Sequence, residues 1–207
     1  MISESTVEQV ERGKKSQDFR FLEQRKWLSN FQGLRVLDLG CGNGLYSKEL
    51  HDIGAQVFAL DINMHSVELT KNYVGATSLI ACCANSINLP FRNSVFDCII
   101  CIETLSHIPH KAQNFAISEM FRVLKDEGKL IISVHNKTRF ALQNVIRFKK
   151  PLSIYKNPGL TIFPLSKDEL ANSLNKAGFK SINKHAFLNF YNSFHQKHPK
   201  LFPFLSI

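Results

Sequence analysis

No stretch of this chain is apolar for long enough to cross a bilayer, which takes roughly 20 residues. The opening MISESTVEQVERGKKSQDFR has no apolar centre of the kind a secretory signal carries. A cytoplasmic protein is the expectation. Cysteine does not come in pairs either: Cys41, Cys82, Cys83, Cys98 and Cys101 are an odd set, and without a secretory signal they give no disulfide framework. Cys98 and Cys101 do form C-x-x-C, but within FDCIICIETL, a run that reads as a buried strand. Residues three apart on a strand point to opposite faces, so these two cannot share a metal. His195 and His198 are interrupted at once by Pro199, with no third ligand in view. Buried free thiols and no metal are therefore expected.

Repeats and low-complexity linkers are also missing. The 207 residues are read as one domain: a cap helix over 1–30, a core over 33–136, a basic lid over 137–165, then a helix, strand and tail over 166–207. Apolar content of 44% with 21% charged residues is ordinary for a globular chain. What is in excess is positive charge. The net charge of +9 points to an acidic partner such as nucleic acid, a phosphorylated substrate or an anionic membrane surface.

Apolar runs alternate with helical patterns. Strands are predicted over 34–39, 55–62, 77–85, within 94–105, and over 128–136. Helices are predicted over 44–54, with Leu45, Leu50 and Ile53 on one side, and over 64–75. A third spans 110–128, with Phe115, Met120, Phe121, Val123 and Leu124 at its apolar positions. Ser166, Glu169 and Gly178 mark a further helix in LSKDELANSLNKAGF, as capping box and stop. Continuous apolar strands between helices mean an α/β fold: a doubly wound, mostly parallel sheet covered on both faces. Its ligands bind at the carboxyl ends of the strands, near the switch in strand order. Of the tail, KSINKHAFLNF reads as one more strand, while Pro203 argues against a central strand after it, so the last strand pair of the sheet is expected to be incomplete.

The first strand runs into RVLDLGCGNGLYSKEL. A dinucleotide fingerprint would be G-x-G-x-x-G, with pyrophosphate on the helix N-terminus. Here Gly40, Gly42 and Gly44 are spaced G-x-G-x-G, Leu45 stands where the third glycine belongs, and Asp38 precedes the turn. A carboxylate repels pyrophosphate but favours a ligand bearing an ammonium and a sulfonium. The second strand ends in ALDIN, and Asp61 lies near the distance, about 20 residues on, at which a carboxylate reaches ribose hydroxyls in such folds. The glycine spacing and Asp38 point away from NAD and towards S-adenosylmethionine.

VLDLGCGNG, ALDIN, ANSINLPFRNSVFD, CIICIETLSHIP and EMFRVLKDEGKLIISV occur in the order seen in class I S-adenosylmethionine-dependent methyltransferases, and the chain most resembles the subgroup labelled methyltransferase type 11. The resemblance covers about 33–135 and, more weakly, 161–180. It implies a Rossmann-like methyltransferase fold. It implies that Asp38, Gly40, Cys41, Gly42 and Gly44 hold the methionyl part of the cofactor, that Asp61 binds the ribose and that Ile62 lies beside the adenine. Asn85 stands where the family usually has an Asp meeting the adenine amino group; its amide oxygen can accept the same hydrogen bond. Ser86 would offer its backbone N–H to the ring, and Ile102 would line the pocket.

Transfer from a sulfonium is an in-line displacement that needs a base only if the acceptor must lose a proton. Glu103, His107 and His135 are the candidates, all expected at the ligand edge of the sheet. Segment 137–156 carries Lys137, Arg139, Arg147, Lys149, Lys150 and Lys156, no acid, and Phe140, Phe148 and Tyr155 between them. It can be a solvated lid, an RNA surface or a basic element resting on an anionic membrane. The acceptor expected is a small or lipid-linked molecule, with tRNA or another RNA as the alternative. A cofactor-binding regulatory subunit without catalysis is a third reading.

Overall fold

The computed structural model describes residues 30–75, 79–138, 154–157 and 160–180. The expected cap helix, the strand in KSINKHAFLNF, the aromatic tail with His195 and His198, and most of the basic segment lie outside them.

Strands β1 (Arg35–Leu39), β2 (Gln56–Asp61), β3 (Ile80–Cys83), β4 (Phe96–Ile102) and β5 (Leu124–Ser133) alternate with helices α1 (Leu45–Asp52), α2 (Met64–Val74) and α3 (His110–Val123). The five strands make one parallel sheet in the order β3-β2-β1-β4-β5. The chain therefore winds outward on one side of β1, returns, and winds outward on the other. The switch lies between β1 and β4, where the sequence calls for the ligand site. Beyond β5, an antiparallel hairpin of β6 (Tyr155–Asn157) and β7 (Leu160–Ile162) stands apart from the sheet, and α4 (Lys167–Ala177) follows. Among the described residues no strand extends the sheet past β5.

The strands are apolar on both sides because both faces are covered. Leu50 of α1 meets Val36, Val57, Cys98 and Ile100 on one face. On the other, Ile117 and Met120 of α3 and Leu174 of α4 pack with Leu37, Leu39, Phe96 and Cys101. Cys98 and Cys101 thus fall into opposite cores, as strand geometry requires, and burial pushes both thiols up to about 12. The capping box is formed: Ser166 Oγ accepts from Glu169 N, and Glu169 Oε2 accepts from Ser166 N. Such a cap contributes about 1 kcal/mol.

Two expectations are corrected. The helix predicted to 128 ends at Val123, and β5 begins at Leu124. Leu124 is pulled out of the helix because it pairs with Phe96 and is buried, while the register slips between Phe96 and Cys98 to absorb Lys125–Gly128. Phe115 and Phe121, taken as core positions, are 64% and 43% exposed. The buried stripe is Gln113, Ala116, Ile117, Met120 and Val123, spaced three and four apart. Phe121 instead meets the Phe179 ring edge-on at 5.2 Å.

Candidate functional site

The glycine turn between β1 and α1 meets three neighbours. A side chain on Gly40 (φ 81°) would strike Thr104, whose Oγ1 would lie 2.0 Å from the added Cβ. Gly44 is pressed in the same way against the Thr70 backbone of α2. Gly42 (φ 54°) differs, because a Cβ there would meet nothing within 4 Å. Two glycines are thus demanded by packing, and the one between them opens onto space. Its N–H donates to Asp61 Oδ2 at 3.0 Å, joining the turn after β1 to the end of β2. Asp61 Oδ1 accepts from Asn63 N at 2.9 Å, and the remaining lone pairs of both oxygens can accept further hydrogen bonds.

Asp38 lies beneath the turn, buried, and accepts from Ser47 Oγ at 2.5 Å. Burial, opposed by that hydrogen bond and reinforced by the charge of Asp61, pushes its carboxyl up to about 7. Cys41 packs rather than reacts: burial raises its thiol to about 12, and Thr70 Oγ1 donates to its sulfur at 3.4 Å. The carboxylates of Asp38 and Asp61 with an open glycine between them suit a cationic ligand bearing vicinal hydroxyls. A diphosphate would meet the negative charge of Asp61. The residues therefore fit S-adenosylmethionine.

The strip expected beside an adenine is also assembled here. Ala84 N donates to Asp61 O and Cys83 Sγ to Ile62 O, so the ends of β2 and β3 are stitched together. Ile62 is 70% exposed beyond them, an apolar side chain on which a flat ring could pack. Asn85 and Ser86 open the following loop, and Asn85 Oδ1 accepts from Ile87 N. That loop is anchored from α3: Leu89 N donates to Glu119 Oε2, while Arg122 donates to the carbonyls of Leu89 and Phe91. Ile102 ends β4, half-buried, opposite Ser133.

Past Ile102 the chain turns through Glu103, whose φ of 58° is a conformation L-residues other than Asn and Asp rarely take. Its N–H is held by Ser133, through both the carbonyl (3.0 Å) and Oγ (3.1 Å). A 3-10 turn (Leu105–His107) follows. Glu103 Oε2 lies 3.9 Å from His135 Nε2, and the His135 and His107 rings meet edge-on at 5.9 Å. All three acceptor-side candidates therefore come together, although His135 is on the neighbouring strand end. Sequence reasoning missed the groups that set this edge, Thr104, Ser106, Gln113 and Ser133, and on the other side Ser47 and Thr70. The one signal available was Gln113, a polar residue at a core position of an amphipathic helix.

Residues 37–132 match the family described as Methyltransferase domain. The chain is 29% identical to the mitochondrial ubiquinone biosynthesis O-methyltransferase of Schizosaccharomyces pombe, over 70% of this chain and 54% of that protein. It is 34% identical to a Mus musculus protein named probable tRNA methyltransferase 9B, over 61% of this chain and 27% of that one. Its fold is similar to that of an S-adenosylmethionine dependent methyltransferase from Mesorhizobium loti, with a TM-score of 0.67, 18% identity, and 86% and 88% of the two chains covered. The chain spans about half the length of the first curated relatives it matches.

Proposed function

We propose, from the match of residues 37–132 to the methyltransferase domain family and the methyltransferase-like fold, that the chain is a class I S-adenosylmethionine-dependent methyltransferase acting on a small or lipid-linked acceptor. The observation that carries the reading is the lock between Gly42, in the turn after β1, and Asp61, at the end of β2, on the carboxyl edge of the sheet. It sets an open backbone seat and a ribose-binding carboxylate in one rigid unit. S-adenosylmethionine, when bound, supplies a methyl already activated on a sulfonium. The chain's part is to hold and align: Asp38 and Asp61 favour the cationic ligand, the Gly42 gap admits it, and Ile62, Asn85 and Ser86 receive the adenine. Alignment of this kind lowers a barrier by up to roughly 7–11 kcal/mol. Relatives with O-methyltransferase in their names support a small acceptor. Isothermal titration with S-adenosylhomocysteine tests the reading. Asp61→Ala is expected to weaken binding at least tenfold, since hydrogen bonds to a charged group contribute about 1.5–3 kcal/mol each. Affinity unchanged in that variant would remove the assignment.

A second reading, methylation of tRNA or another RNA, is favoured by the tRNA methyltransferase relative together with the six cations of segment 137–156. Salt-dependent retention on RNA, against flotation on anionic liposomes, separates it from a lipid-linked acceptor. Transfer of a labelled methyl to any acceptor excludes a purely regulatory cofactor-binding subunit.

A further inference from the structure

The loop between β3 and β4 lies outside the sheet ladder, so its backbone groups must find other partners. Several of them find α3. Arg122 uses all five of its N–H groups there. Nε and Nη2 form a two-pronged pair with Glu119, at 2.7 Å each. The remaining donors reach Phe91 O at 2.8 Å, Asn93 Oδ1 at 2.9 Å and Leu89 O at 3.1 Å. Glu119 Oε2 also accepts from Leu89 N at 2.7 Å. One ion pair therefore holds both the N–H and the carbonyl of Leu89. The hydrogen bond from Arg122 keeps the Glu119 carboxyl below the ordinary carboxylate range, so the pair stays charged. The α3 backbone pins the exit of the loop, since Ser94 N donates to Arg122 O and Val95 N to Val123 O.

The other end of the loop carries the expected base site. Ala84 N donates to Asp61 O, which fixes the entry. Ile87 N donates to Asn85 Oδ1 and Asn88 N to Asn85 O, both at 3.1 Å, and these bonds close a tight turn. An N–H needs an acceptor, so the turn also fixes the Asn85 amide with its oxygen towards Ile87. Leu89 stands between this turn and the ion pair. It is 3% exposed and packs in the same core as Phe96. Phe91 meets Phe58 and Phe96 edge-on at 6.1 and 4.9 Å. Leu89 is thus gripped by its side chain, its N–H and its carbonyl at once. Nearer the start of the same helix, Gln113 Nε2 donates towards the carbonyls of Leu105 and Ile108, in the turn after β4. In that turn Ser106 Oγ accepts from His135 N at 2.8 Å. Side chains of α3 therefore hold loops on both halves of the ligand edge.

We propose that Glu119 and Arg122 are positioning residues for the cofactor: their ion pair holds the loop after β3 in its base-receiving shape before the ligand arrives, so the adenine part of the affinity is set from α3. The inference rests on the methyltransferase reading, in which Asn85 and Ser86 receive the adenine. Without the pair, the ligand itself must order the loop, and that entropy is subtracted from its affinity. The loss falls on the base end. The methionyl seat is built separately, from Gly42 locked to Asp61. Lysine cannot replace Arg122, because three donors on a point charge do not reproduce a planar fork of five.

The test compares two fragments of S-adenosylhomocysteine. Methylthioadenosine keeps the base and the sugar. S-ribosylhomocysteine keeps the sugar and the amino acid and lacks the base. Binding to the full chain is followed by NMR at the Gly42 amide, which reads weak ligands as well as tight ones. Arg122→Ala is expected to weaken S-adenosylhomocysteine and methylthioadenosine by about tenfold or more, and to leave S-ribosylhomocysteine unchanged. Arg122→Lys should recover only part of the loss, and it carries the comparison if Arg122→Ala does not fold. Hydrogen exchange of the ligand-free variants gives an independent reading: faster at Ile87 and Leu89, unchanged at Gly40 and Gly42. Equal weakening of all three ligands would mean that the pair merely supports the fold. That result, an unchanged affinity for S-adenosylhomocysteine in both variants, or faster exchange at the glycines as well as the loop, each overturns the proposal. Failure of S-adenosylhomocysteine to bind the unaltered chain overturns the methyltransferase reading instead.

Discussion

The ligand edge of the sheet has two halves built on opposite plans. On the β1–β2 side the parts are buried or pressed together: Asp38 is sealed, Gly40 and Gly44 leave no room for a side chain, and Asp61 grips the turn. On the β4–β5 side the groups stand half-open, around a glutamate in a left-handed conformation and a histidine on the surface. The first half stores its cost as a desolvated carboxylate and the second as backbone strain. Both are conditions a ligand can relieve, and they are separable by experiment.

Asp38 has the largest expected effect. It binds its proton more tightly in the folded chain, at about 7, than at the ordinary value of 3.8. Below pH 3.8 both states hold the proton and the fold carries no penalty from this group. As pH rises towards 7 the unfolded chain releases it first, so stability falls through that window, and above 7 the loss is complete, of order 4 kcal/mol. Asp38→Asn should be more stable than the unaltered chain at pH 8 and equal to it at pH 4 in urea unfolding. A difference that ignores pH would show that the buried carboxyl is not the source.

Next come the glycines, which test whether the closed half is closed for packing or for a ligand. Gly40→Ala meets both the left-handed conformation and Thr104, and should cost about 3 kcal/mol of stability. Gly42→Ala meets only the conformation and should cost about 1 kcal/mol, yet lower S-adenosylhomocysteine affinity at least tenfold. Equal losses of stability in the two, by thermal unfolding, would erase the distinction drawn between them.

The smallest effect belongs to the open half. Glu103→Gly removes strain at φ 58° and should stabilise the fold by about 0.5 kcal/mol, after the added entropy of the unfolded glycine is offset. The same change should lower methyl transfer. Loss of stability instead would mean that the Glu103 side chain holds the fold rather than the site.

How far the sequence could be read follows the same division. The glycine spacing, Asp38 and Asp61 are local in the chain, joined by one strand and one helix, and their placement follows from the strand-to-helix turn. The α4 cap was equally plain, since Ser166, Glu169 and Gly178 act within one short helix. Phe115 and Phe121 misled because aromatic residues look like core wherever they fall, and only the packing of α3 on the sheet showed which face is covered. The end of that helix was misjudged for a related reason. Leu124 leaves it to pair with Phe96, a contact 28 residues away that no local periodicity encodes.

By itself the sequence determined the parallel winding and the glycine turn that brings Asp38 and Asp61 to the carboxyl edge of the sheet, because these depend on periodicity, turn chemistry and charge along short stretches. Only the tertiary structure decided what each glycine is for, and that Ser106, Gln113 and Ser133 hold the turn after β4. Those properties arise where segments far apart in the chain meet, as Gly40 meets Thr104, Gly44 meets Thr70 and Ser106 meets His135. A hydrogen bond or a steric contact across that gap is set by how the sheet stacks its strands, and it leaves no period in the chain.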